Sequence, residues 1–174
     1  MCYFVRKITL SKWPKQPEDI SLDIHKLRAD AIADVRTFNN CLSIWNVASD
    51  SDSAINEAVL ALATASGQTS FDKMDFVIFT GSDLSLKGLR LESADGDTAV
   101  TKLRNTHYNI VGLTYDSLTT VMSIISEITF YSKQKRRTGR YIEDLIKTNY
   151  DRIDLSVFSN STIREKIKKI AGKS

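Results

Sequence analysis

The chain has 174 residues, 42% apolar and 26% charged, with 24 basic against 21 acidic side chains, the proportions of an ordinary globular protein. With 7 glycines and only 2 prolines, Pro14 and Pro17, it is neither low-complexity disorder nor a collagen-like repeat, and its length suits one domain that buries a core without staples. Two cysteines, Cys2 and Cys41, do not make the disulfide framework of a small secreted domain, and the opening Met-Cys-Tyr-Phe-Val-Arg-Lys lacks the apolar run of a signal peptide, so a cytoplasmic location is expected.

Residues 2–10 alternate, with Cys2, Phe4, Ile8 and Leu10 on one face and Tyr3 and Val5 on the other, which predicts a first strand ending near Trp13 and Pro14. Ile20, Ile24, Leu27, Ala31 and Val35 recur at helical spacing and predict a helix across 20–35. Asn39-Asn40 marks a turn, because Asn tolerates left-handed dihedrals, and Cys41 to Val47 alternates as a second strand. The polar run Ser49 to Ser53 supplies capping oxygens for a helix with Ile55, Val59, Leu62 and Ala63 inward, closed near Gly67.

Lys73 to Thr80 is apolar on both faces, as in a strand covered by helices on each side. Leu89 and Leu91 suggest a fourth strand, and Asp97 caps a short helix carrying Val100, Leu103 and His107. A long helix follows Thr114, with Leu118, Val121, Met122, Ile125 and Ile128 inward. Further amphipathic helices begin at Tyr141 and near Ser161. The stretch from Leu118 to Phe130 is far shorter than the roughly 20 apolar residues of a spanning helix and contains Glu127, so no membrane partner is expected.

These elements predict an α/β or α+β chain: a small sheet of about four strands packed with helices over 1–113, then a helical region over 114–174 packed on it as one compact unit. A three-layer arrangement is favoured. Phe4, Ile44, Trp45, Val59, Leu62, Phe76 and Ile78 are expected to share a core, each lying on the apolar side of its element.

No local motif specifies a chemistry. The glycines have neither the GxGxxG nor the GxxxxGK[ST] spacing of a phosphate loop, and Cys2, His25, Cys41 and His107 are too scattered for structural zinc, so no cofactor is expected. Neither His25 nor His107 sits in a nucleophile motif, so no catalytic residue is assigned, although a Ser-His assembly built in space from distant positions leaves no local trace. The acid pairs Asp50 with Asp52 and Asp95 with Asp97 fit helix capping and a turn, and as weak metal candidates Asp95 and Asp97 support an alternative reading as a small metal-dependent hydrolase or nuclease. Arg6 is the odd residue, a charge on the same strand face as Phe4 and Ile8; an edge strand or a snorkelling stem accounts for it, and so does contact with an anion or a partner.

Charge is distributed unevenly. Residues 1–130 carry 12 basic and 16 acidic side chains, whereas 131–174 carry 12 basic and 5 acidic, so the chain is basic after 131. A solvated helix end explains such a run, but it also makes a docking surface. The leading expectation is a non-catalytic accessory or regulatory module that contacts an acidic protein surface through Lys133, Lys135, Arg136, Arg137, Arg140, Arg164, Lys166, Lys168 and Lys169. A nucleic-acid-binding regulator using residues 133–169 is the alternative, with little aromatic interleaving to support it.

Overall fold

The computed structural model describes residues 2–13, 27–131 and 133–173. Its centre is a curled six-stranded sheet built from β1 (Tyr3–Ile8), β2 (Leu42–Val47), β3 (Met74–Thr80), β4 (Arg90–Ser93), β5 (His107–Val111) and β6 (Lys135–Arg137). The spatial order is β4-β5-β2-β1-β3-β6, with every neighbouring pair antiparallel. The α/β class therefore holds, with two strands more than the expected four. Both extra strands escape sequence patterning: β5 is a short stretch read as the end of a helix, and β6 is three consecutive basic residues.

Helices cover both faces. On one, α1 (Asp52–Ala63), α4 (Gly139–Thr148) and α5 (Ser161–Ala171) bury Val59, Ile142, Ile146 and Ile167 against Val5, Trp45, Met74 and Phe76. On the other, α2 (Gly81–Leu86), α3 (Tyr115–Phe130) and the 3-10 helix Ala29–Val35 bury Leu84, Val121, Ile125 and Val35 against Phe4, Ile8, Ile44, Val77 and Phe79. The expected single core is thus two cores. Ile44 and Trp45 are consecutive on one strand and must point to opposite faces, so they belong to different layers.

Several local expectations are met for the stated reasons. Ser51 caps α1 by accepting from the Ala54 N–H, and Thr114 caps α3 in a reciprocal box with Ser117. Asn39 and Asn40 have φ of 52° and 57° and close a tight turn in which Phe38 and Cys41 exchange backbone hydrogen bonds. α1 ends at Ala63, before Gly67. Of the helix expected across 20–35, residues 20–26 lie outside the described residues, and Ala29–Val35 is a 3-10 helix. A 3-10 helix also spans Thr101–Thr106, after which the chain extends into β5 at His107.

One irregularity in the sheet positions everything that follows. β1 pairs with β3 along its whole length, from Tyr3↔Thr80 to Ile8↔Asp75, and β2 pairs with β5 from Trp45↔His107 to Leu42↔Ile110. Between β1 and β2, however, the register runs only from Tyr3↔Val47 to Val5↔Trp45. Beyond that point the two strands part, leaving a split bordered by Arg6, Lys7 and Ile8 on one side and Ser43 and Leu42 on the other.

Candidate functional site

Arg6 bridges the split. Its Nη1 donates to the Ser43 carbonyl at 2.7 Å and its Nη2 to the Asp34 carbonyl at 2.5 Å, while its Nε is buried without a partner among the described residues. Burial lowers the guanidinium pKa to about 10, with the charge of Asp34 acting in the opposite direction. The oddness of Arg6 in the sequence is therefore real, and its cause is an interior position on a central strand.

The carboxylate of Asp34 does not pair with Arg6 side to side. It accepts from the Thr9 N–H at 2.6 Å, the Thr9 hydroxyl at 3.0 Å and the Trp13 indole N–H at 2.7 Å, and Lys12 Nζ lies 3.5 Å away. Both of its oxygens are engaged by residues 9–13. Arg6 is left with two neutral carbonyls as acceptors, a poor match for a full charge that is half withdrawn from water.

A recess of about 260 Å³ opens beside this group, lined by Arg6, Lys7, Thr9, Asp34, Ser43 and Trp45 among others. A second recess of about 350 Å³ shares Ser43, Trp45 and Leu62 with it and extends to Asp95, Asp97 and His107. The two recesses adjoin at Ser43, Trp45 and Leu62 and are together called the depression, with the Trp45 indole and Leu62 as its apolar part. Its polar groups come from β1, β2, β5 and the loop after β4.

Ser43 and His107 meet inside it. Ser43 is opposite Asn109 in the β2–β5 register, so His107, two residues from Asn109, is its diagonal neighbour on the same sheet face. The Ser43 hydroxyl is hydrogen-bonded to His107 Nε2, and His107 Nδ1 lies 3.2 Å from the Ala94 carbonyl. A carbonyl only accepts, so Nδ1 carries the ring hydrogen and Nε2 accepts from the Ser43 hydroxyl. Burial pushes the His107 ring below the usual imidazole value; the bond to Ala94 opposes this and the charge of Arg6 adds to it.

The ring is held on its other sides as well. It packs edge-on to Trp45 at a centroid distance of 5.1 Å. Gly96 lies against both: a Cβ there would come within 2.7 Å of His107 Cβ and 2.9 Å of Trp45 Cζ3, so only glycine allows this approach.

The acids named from the sequence are placed apart. Asp52 starts α1 and pairs with Arg137, whereas Asp95 and Asp97 line the depression near the far end of the same helix, roughly 16 Å away at 1.5 Å per residue. Asp97 accepts from the Ser66 N–H and hydroxyl, and Asp95 is exposed. Among the described residues no three His, Cys, Asp or Glu are grouped to hold a metal ion. His25 lies outside the described residues.

The basic residues divide into two sets. Arg136 makes a two-pronged ion pair with buried Asp75, its cross-strand partner in the β3–β6 register, and Arg137 pairs with Asp52 while lying over the Tyr141 ring. Lys166 pairs with Glu143 and Lys168 with Glu165. By contrast, Lys133, Lys135, Arg140, Arg164 and Lys169 make no ion pair among the described residues, and Lys133 lies over the Tyr131 ring. Arg152, not singled out in the sequence, pairs with Glu57. Arg136, Arg137 and Arg152 thus fasten the C-terminal region to acids of β3 and α1, while Lys166 and Lys168 pair within it.

Sequence reasoning weighed His107 and set it aside for lack of a motif, and it missed Ser43 and the pairing of the two, which stand 64 positions apart. Of the residues weighed from the sequence, Arg6, Asp95, Asp97 and His107 line the depression, but nothing in the sequence joined them. No helix among the described residues is long and apolar enough to cross a membrane. The chain matches no family model, no curated protein and no solved structure at a significant level, so its functional reading rests on geometry.

Proposed function

We propose that the depression at the split in the sheet binds a small anionic molecule, carrying a carboxylate or a phosphate, and that the chain works as a binding module through it. The observation that carries this reading is Arg6: a half-buried guanidinium whose buried Nε has no partner among the described residues, with two neutral acceptors and an adjoining recess. An anion entering the recess supplies the charge partner that Asp34, engaged by residues 9–13, does not. Lys7 on the same wall adds a second positive charge, while Trp45 and Leu62 offer apolar surface to the remainder of the ligand.

Thermal unfolding in millimolar phosphate or acetate, against chloride at matched ionic strength, tests it. Binding to the folded state alone raises the midpoint by mass action. The parent midpoint is expected to rise and that of Arg6→Met to stay unchanged; a parent that responds to neither anion more than to chloride overturns the reading.

A second reading concerns the C-terminal surface as a docking site for an acidic protein. It is supported by Lys133, Lys135, Arg140, Arg164 and Lys169, which among the residues expected to dock are the cations without an ion partner among the described residues. Changing these five together to Gln is expected to slow association with the partner recovered from native cells, with added salt shrinking the difference. A nucleic-acid partner would instead show as a linear fall of log affinity for duplex DNA with log salt, whose slope drops by about 0.9 per phosphate contact removed.

A further inference from the structure

We propose that Ser43 is a nucleophile activated by His107, and that the depression hydrolyses small carboxylic esters through an acyl-Ser43 intermediate. This rests on the reading that the depression admits a ligand, and adds to it a covalent chemistry.

The geometry meets the requirements of an activated serine. The hydroxyl is hydrogen-bonded to the nitrogen whose lone pair is free, and the other ring nitrogen is oriented by a fixed acceptor, the Ala94 carbonyl. Ser43 is half-buried and lines both recesses, so the oxygen is reachable from the cavity. The base is held against rotation by Trp45 and by the close approach of Gly96. Arg6 is bonded to the backbone carbonyl of Ser43 and lines one of the recesses that Ser43 lines, so its positive charge is available to an oxyanion formed there. Burial keeps the His107 ring in its neutral, proton-accepting form near neutral pH.

The steps balance without a co-reactant other than water. Ser43 Oγ bonds to the ester carbon as its proton passes to His107 Nε2, and the carbonyl π electrons move onto the oxygen near Arg6. The bond from carbon to the alcohol oxygen then breaks, and the alcohol leaves with the proton from Nε2. Water attacks the acyl-Ser43 carbon and gives a proton to Nε2; the bond from that carbon to Oγ then breaks, the acid leaves, and the proton on Nε2 passes to Oγ. The orienting group is a neutral carbonyl and not a carboxylate, and Arg6 disfavours a neighbouring imidazolium, so turnover is expected to be slow and acylation easier to observe than steady-state hydrolysis.

The test is labelling of the whole chain by an alkyl fluorophosphonate, read by intact mass and peptide mapping. In that reaction Oγ bonds to phosphorus, fluoride leaves and the proton passes through Nε2 to solvent. One adduct on the peptide containing Ser43 is expected, absent in Ser43→Ala and formed on the order of 10²-fold or more slowly in His107→Gln. The parent rate should also fall as the solution is acidified through the His107 titration, which takes place in a setting that includes Arg6 from β1 and Asp95 and Asp97 from the loop before β5. This acid limb supplies the histidine arm of the test if His107→Gln does not fold.

Absence of an adduct, an adduct that survives Ser43→Ala, or a rate indifferent to both His107→Gln and pH overturns the nucleophile. Failure of labelling with phosphate still stabilising the Ser43→Ala protein removes only the chemistry and retains the binding site. Labelling without any anion-dependent stabilisation removes the anion reading and retains the nucleophile.

Discussion

The indole Nε1–H of Trp13 donates to Oδ2 of Asp34 at 2.7 Å, joining the segment after β1 to the 3-10 helix Ala29–Val35. The same carboxylate receives the Thr9 N–H and hydroxyl, so one buried side chain fixes the run from 9 to 13. Replacing Asp34 by Ala leaves these donors unsatisfied in a buried place. A loss of about 3 kcal/mol is expected, measured as a lower urea midpoint at unchanged slope. A variant as stable as the parent would mean that residues 9–13 hold their place without the carboxylate.

Gly96→Ala is expected to destabilise by about 1–3 kcal/mol, because its methyl group must displace the Trp45 indole or the His107 ring. It should also disturb the Ser43–His107 hydrogen bond, visible as a shift of the His107 ring resonances. Gly67, with nothing within 4 Å of an added Cβ, is the control that should tolerate alanine.

The basic residues after 131 are expected to respond unequally to substitution. Arg136→Ala leaves Asp75, only 7% exposed, as a buried charge without its cross-strand partner, whereas Arg140 makes no ion pair among the described residues. The melting temperature of Arg136→Ala should fall clearly below that of Arg140→Ala. Equal melting temperatures would show that Asp75 finds compensation elsewhere.

Acid should destabilise the protein partly through His107. Its ring titrates below its unfolded value of 6.5, so the unfolded chain binds the proton more readily. The cost is absent well above pH 6.5 and grows as pH falls from there toward the folded pKa. Glu57, held low by its hydrogen bonds to Arg152, adds a loss that begins nearer the ordinary carboxylate range. Midpoints of parent and His107→Gln followed from pH 8 to pH 5 should converge on acidification, and parallel curves would remove His107 from this dependence.

Residues whose partners are close in sequence were the readable part of this fold. The α1 and α3 caps, the Asn39-Asn40 turn and the doubly covered β3 all follow from patterns a few residues long. β6 does not, because Lys135 to Arg137 becomes a strand only through Asp75, Asp52 and Asn56, which approach from at least 61 positions away. β5 was obscured by its short length and by Asn109 within it. The charge of Arg6 was visible as an anomaly, but its two acceptors stand 37 and 28 positions along the chain. The depression exists because β1 and β2 part after Val5, and hydrophobic alternation records which face a residue takes, never how far two strands stay paired.

The strand order also constrains how the chain is made. β1 lies between β2 and β3, and its longest ladder joins residues 3–8 to residues 75–80. At about 5–20 residues per second, a ribosome needs roughly 4 to 14 s to extend the chain from Ile8 to Thr80. For that interval the first strand has at most the three register pairs with β2 for support; Phe4 lacks one of its two cross-strand partners and Ile8 its one partner, Asp75. The first strand therefore waits on β3 for most of its pairing, and Arg6, which bridges the split in the finished sheet, is solvated until late in assembly.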